Sequence, residues 1–145
     1  MKVPRINRRV FGRQTLGVAA AAALSSWSVP AEAAREGETK RTRVGVIGCG
    51  SVSNVYLPHL AASPYVALVS ACDIKPERAK RQAGRFHIPH HYPHIDDMLA
   101  GAAFDLLVNT TDMQEHEHLN RQAIEAGKHI WSEKPIANSL KAGQE

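Results

Sequence analysis

Arg43-Val44-Gly45-Val46-Ile47-Gly48-Cys49-Gly50-Ser51-Val52-Ser53 begins with crowded β-branched residues and ends in a glycine turn. Val44, Val46 and Ile47 lack polar alternation, the pattern of a parallel strand covered on both faces. Gly48 reaches backbone angles closed to other residues, and Gly50 has no side chain to hold a phosphate off the main chain. A helix starting there offers unpaired N–H groups and the positive end of its dipole to an anion. Cys49, Ser51 and Val52 fill the intervening places. Ser53 stands where G-x-G-x-x-G has its third glycine, so helix and strand should pack slightly less closely. The pattern fits a phosphate cradle, and also a plain tight turn.

Val66-Ala67-Leu68-Val69-Ser70-Ala71-Cys72 predicts a second buried strand ending on Asp73. Asp73 lies 23 residues past Gly50, close to the ~20 expected of an acid that accepts from the adenosine ribose hydroxyls. The alternative is a cap on the helix that Pro76 would begin. A carboxylate there repels a 2′-phosphate and so favours NAD over NADP, although Lys75 and Arg78 stand close by.

Strand and helix signals then alternate. Val52, Val55, Tyr56 and Leu60 mark one helical face, with a kink or split expected at Pro58. Helices are predicted over 76–86, 96–100 and 115–126, the last presenting His116, Leu119, Ala123 and Ile124 before Gly127 stops it. Strands are predicted over 88–92, 105–110 and 128–132, the last leading into Glu133-Lys134-Pro135, and a further helix from about Asn138. Such alternation implies an α/β fold, a parallel sheet with helices on both faces. Its ligands sit beyond the strands' carboxyl ends, where Gly48–Gly50, Asp73, Asn109–Thr111 and Glu133–Lys134 all fall.

From Arg43 to Gly143 the chain resembles the N-terminal domain of the Gfo/Idh/MocA oxidoreductases. The matching pieces are Val44–Gly50, Ala71-Cys72-Asp73, Asp105–Thr111 and Glu125-Ala126-Gly127-Lys128-His129-Ile130-Trp131-Ser132-Glu133-Lys134-Pro135. The resemblance implies a Rossmann-like doubly wound sheet and an NAD(P)-dependent enzyme moving hydride at a secondary alcohol of a sugar or polyol. It implies that Thr110 and Thr111 line the cofactor with main-chain groups, with Thr111 where many relatives have proline. It places His116 near the nicotinamide side, Glu133 on the nicotinamide ribose, and Lys134 between nicotinamide and substrate, where an amine can relay the hydroxyl proton. Family members carry a C-terminal α/β substrate domain that often oligomerises, and it lies outside these 145 residues. The expectation is therefore a fragment of a longer enzyme, inactive alone. The competing class is a non-catalytic nucleotide-binding or interaction module.

Residues 1–33 have a signal-peptide layout: Lys2, Arg5, Arg8, Arg9 and Arg13, an Ala-rich core, and small residues up to Ala33. Asn7-Arg8-Arg9-Val10-Phe11 resembles the twin-arginine export motif, an ordinary secretory signal being the alternative. Export to a bacterial periplasm or envelope through that machinery is expected. Of 18 Lys+Arg and 14 Asp+Glu, five and one lie in this leader. Thirteen of each remain, leaving no basic patch to argue for nucleic acid. Residues 34–42 read as a linker and 43–145 as the incomplete cofactor domain.

Cys49 and Cys72 fall on neighbouring strands; a bridge is conceivable, but two reduced buried thiols fit the turn better. His87, His90, His91 and His94 match no common zinc spacing, and Pro89 and Pro93 point to a solvated edge loop. Trp131 reads as packing and His118 as an exposed helix residue.

Overall fold

The computed structural model describes residues 40–144; the predicted leader and most of the linker lie outside them. Five strands, β1 (Thr42–Ile47), β2 (Val66–Cys72), β3 (His90–Tyr92), β4 (Leu106–Asn109) and β5 (His129–Ser132), form one parallel sheet in the order β3-β2-β1-β4-β5. The doubly wound sheet expected from the sequence is what forms. Helices α1 (Ser53–Ala62), α2 (Pro76–Phe86), α3 (Ile95–Ala100) and α4 (His116–Glu125) connect successive strands.

Two apolar layers sandwich the sheet. Val44, Val46, Ala71 and Val108 meet Leu57 of α1 and Ala79 and Ala83 of α2. Ile47, Cys72 and Leu107 meet Ile95 and Met98 of α3 and Leu119 and Ala123 of α4. The alternation of strand side chains between faces assigns each residue to its layer. Gly45 lets α3 come close, since a Cβ there would lie 2.2 Å from the Met98 methyl carbon.

Several local expectations are corrected. Pro58 does not break α1, which runs on to Ala62. Pro58 and Asn54, four residues back, are both exposed, so water can serve the carbonyl that loses its donor. The buried face of α1 is Ser53 and Leu57, while Val52 and Val55 are exposed. The Ser53 hydroxyl donates to the Gly50 carbonyl at 2.7 Å, which sets that face against the sheet. In α4 the buried set is His116, Leu119, Asn120 and Ala123, and Ile124 faces out. β3 starts at His90, and Ile88 packs into the core instead. Beyond Asn138 the described residues make turns, with Gly143 N–H bonded to Ser139 O at 3.1 Å, and no helix. His87, His90, His91 and His94 are all exposed, and His87 closes α2 with φ 54°.

Candidate functional site

The strand order reverses between β1 and β4, and the two chains part there. Gly48 takes φ +87°, and a Cβ on it would lie 2.5 Å from the Thr111 nitrogen. Its N–H donates to Cys72 O at 2.9 Å. Thr110 closes the other side: its N–H donates to Ile47 O at 2.9 Å and its hydroxyl to Gly48 O at 2.7 Å. The turn is thus locked by both neighbouring strands.

Asp73 stands inside that turn. Its Oδ2 accepts the Cys49 N–H at 2.8 Å, and its Oδ1 accepts the Lys75 N–H at 2.8 Å. It does not cap α2, whose first turn has no side-chain cap. Each carboxylate oxygen has two lone pairs, so one on each is left for another donor. Opposite, a Cβ built on Gly50 would meet only Arg78 Nη1, at 3.8 Å, and the start of α1 has no side-chain cap. A bare main chain at an uncapped helix start is a place for an anion.

Gly48, Gly50, Ser51, Val52, Asp73, Thr110 and Thr111 line one cleft of about 800 Å³, with Ile47, Ile74, Pro93, Ile95 and Leu119 as its apolar wall. Of the predicted site residues, these seven come together. The Cys49 side chain does not reach the cleft: its thiol is wholly buried and donates to Cys72 O at 3.5 Å. Cys49 and Cys72 are both free. Burial first, and then negative neighbours, pushes each thiol up to about 12. An acid with spare lone pairs beside exposed main chain suits the sugar diol and diphosphate of a dinucleotide.

Glu133 and Lys134 lie beyond β5, outside this lining. The Glu133 N–H donates to Asn109 O at 3.1 Å, which continues the β4–β5 register. The Tyr56 hydroxyl donates to Glu133 Oε1, and the Lys134 N–H to Glu133 Oε2 at 3.3 Å. The Tyr56 bond is the main reason the Glu133 carboxyl lies below its ordinary value, and the same bond raises the Tyr56 phenol. Trp131 meets Tyr56 edge-on, with ring centroids 4.7 Å apart. The Lys134 side chain is exposed.

His116 is buried at 1% exposure, and its ring sits between two carbonyl oxygens, Pro135 O at 2.7 Å from Nδ1 and Thr111 O at 3.1 Å from Nε2. Sequence reasoning missed Tyr56, counted only as part of an apolar face, and the buried Asn120, whose Oδ1 accepts from Asn109 Nδ2 at 2.9 Å. Asn120 could have been found as the polar residue one turn after His116 on the same face. Among the described residues no group of His, Cys, Asp and Glu is placed to hold a metal.

Residues 42–145 match the profile of an oxidoreductase family with an NAD-binding Rossmann fold. The uncharacterized oxidoreductase YrbE of Bacillus subtilis is 28% identical over 102 residues, 70% of this chain and 30% of that protein. An inositol 2-dehydrogenase of Corynebacterium glutamicum is 31% identical over 100 residues, covering 68% of this chain and 29% of that one. Among solved structures, the WlbA dehydrogenase of Chromobacterium violaceum, in complex with NADH and UDP-GlcNAcA, aligns with TM-score 0.68 and 29% identity over 73% of this chain and 31% of that one. The chain spans about 30% of the length of these relatives.

Proposed function

Because the chain belongs to the Gfo/Idh/MocA oxidoreductase family, we propose that it is the cofactor-binding part of an enzyme moving hydride at a secondary alcohol of a sugar, polyol or related substrate. The observation that carries this is Asp73, whose Oδ2 accepts the Cys49 N–H at 2.8 Å, so that acid and glycine turn form one surface. The main chain of Gly48–Val52 and the start of α1 hold the diphosphate. Asp73 accepts from the adenosine ribose hydroxyls, and its charge disfavours a 2′-phosphate, selecting NAD over NADP. Thr110 and Thr111 offer main-chain groups from the opposite lip of the cleft.

When bound, NAD supplies the hydride acceptor. Glu133 orients the nicotinamide ribose, and Lys134 hydrogen-bonds the substrate hydroxyl and takes up its proton. Relatives named as inositol 2-dehydrogenases, and a neighbour solved with a UDP-sugar acid, support a polyhydroxylated substrate. NADH titration of the chain, followed by cofactor fluorescence, tests the binding. Saturable enhancement that Gly50→Val abolishes is expected, and no binding at millimolar NADH overturns the proposal.

Export by the twin-arginine route is the second part of this proposal, supported by Arg8-Arg9 ahead of an Ala-rich core. Replacing both arginines by lysine should abolish translocation of a reporter fused after Ala33 in a host with that machinery; undiminished export overturns it.

A further inference from the structure

We infer that His116, together with Asn120 one turn later, is a positioning residue that ties the cofactor loop at Thr111 to the Lys134–Ile136 segment. The inference rests on the proposed function, because it assigns a task to two residues that lie outside the lining of the cleft. His116 and Asn120 share the face of α4 that also carries Leu119 and Ala123, and these two anchor the helix in the core. A carbonyl oxygen can only accept, so each of the two His116 contacts is a hydrogen bond when that ring nitrogen carries a proton.

A second path runs beside the first. The Thr111 N–H and hydroxyl donate to Asn109 Oδ1 at 3.1 and 2.7 Å. Asn109 Nδ2 donates to Asn120 Oδ1 at 2.9 Å, and Asn120 Nδ2 donates to Ile136 O at 3.3 Å. Both paths start at Thr111 and end on consecutive carbonyls, those of Pro135 and Ile136. Among the described residues, no main-chain hydrogen bond joins Thr111–Asp112 directly to Lys134–Ile136. Glu117 Oε2 accepts the Asn138 N–H at 2.9 Å, which extends the same tie by two residues.

A buried imidazole and a buried carboxamide are costly choices for a helix face that leucine could fill, as is the buried Asn109 at the end of β4, unless their partners need to be held. What they hold are the two loops that flank the hydride-transfer position. Lys134 projects from a segment that has no secondary structure of its own, and its distance from the cofactor loop is set from behind by α4.

The test uses the full chain and two ligands: NADH, and ADP-ribose, which lacks the nicotinamide. His116→Phe keeps a ring and removes both ring nitrogens. It should weaken NADH about tenfold and leave ADP-ribose within about twofold. Hydrogen exchange should rise together at residues 110–112 and at Glu133, Lys134 and Ile136. Leu57→Ala, which opens a cavity in the other layer, should lower the melting temperature without that paired rise. Equal weakening of both ligands, faster exchange at one segment alone, or wild-type behaviour overturns the inference.

Should His116→Phe fail to fold, Asn120→Ala cuts the second path alone and must show the same NADH-selective loss, smaller in size; its absence overturns the inference equally. A wild-type chain that binds neither ligand defeats the proposed function instead, and the paired exchange still reads the tie without any ligand.

Discussion

The two ends of the ligand-binding edge are made of different material. Around Gly48 and Asp73 the working groups are main-chain amides and a carboxylate gripped by two N–H donors, all locked between buried strands. Around Glu133 and Lys134 they are side chains on a strand end, held by a tyrosine from α1 and by polar residues from α4. The first end is fixed by the fold itself. The second is fixed by contacts reaching across 77 residues of sequence, as between Tyr56 and Glu133. Damage to the first end should therefore cost stability and cofactor together, and damage to the second should leave the fold standing.

The largest effect belongs to Gly48→Ala. The new Cβ would meet the Thr111 nitrogen at 2.5 Å and the Thr110 oxygen at 2.7 Å, in a left-handed conformation. A loss of about 3 kcal/mol or more is expected, and with it a melting-temperature drop above ~10 °C. Gly50→Ala falls outside that lock, because its nearest neighbour lies 3.8 Å away. Thermal unfolding should barely change there, and any defect should appear in NADH titration. A stable Gly48→Ala protein would break the contrast.

Asp73→Asn comes next. The amide keeps the shape, but one of the two N–H donors loses its acceptor, at a cost of about 1–3 kcal/mol. NAD affinity should fall about tenfold or more, because hydrogen bonds to a charged acceptor are the stronger kind. Affinity for NADP should fall less, narrowing the preference between the two dinucleotides. Parallel titrations with NAD and NADP measure this. An unchanged ratio would mean that the carboxylate does not face the ribose.

The difference in material also decides what could be read from the sequence. Gly48, Gly50 and Asp73 were legible because one backbone need, a turn free of side chains beside an acid on the next strand, dictates residue type at fixed spacing. β1, β2 and β4 were legible as apolar runs, since burial on both faces suppresses polar alternation, whereas β3 is His-His-Tyr with both histidines exposed and β5 alternates in exposure. Leu57 was missed as the centre of α1's buried face because Val52, Val55 and Tyr56 carry as much apolar character, and only the docking angle set by Ser53 chooses between them. The bonding of His116 was not legible for a similar reason. Its partners, Pro135 O and Thr111 O, are main-chain atoms that no side-chain pattern advertises.

The buried cysteines give the first end a pH signature. Both thiols are pushed from 9.0 to about 12, chiefly by burial. In the unfolded chain they ionise near 9, while the folded chain keeps them neutral, so unfolding takes up the benefit of deprotonation. Their contribution is fully present below pH 9 and is lost as pH rises from there through about 12. Denaturant midpoints at pH 7, 9 and 10 should fall in that order. The Cys49→Ala, Cys72→Ala double variant should flatten the decline, and an unchanged slope would remove the thiols from the account.

Tyr56→Phe should have the smallest effect on the fold and tests the second end directly. The hydroxyl is the largest cause of the lowered Glu133 carboxyl and has Glu133 as the largest cause of its own rise. A depressed carboxyl adds stability above its ordinary value of 4.5, and that share is lost as pH falls through the lower folded value. A raised phenol adds stability below 10, lost as pH climbs through its higher folded value. Wild type and Tyr56→Phe should therefore differ slightly between those limits and converge outside them. The edge-on contact with Trp131 survives in the variant, because phenylalanine keeps the ring. Glu133 then keeps only the Lys134 N–H on its carboxylate, so NADH binding should weaken while melting temperature hardly moves. A large stability loss instead would place Glu133 with the rigid cradle and erase the distinction between the two ends.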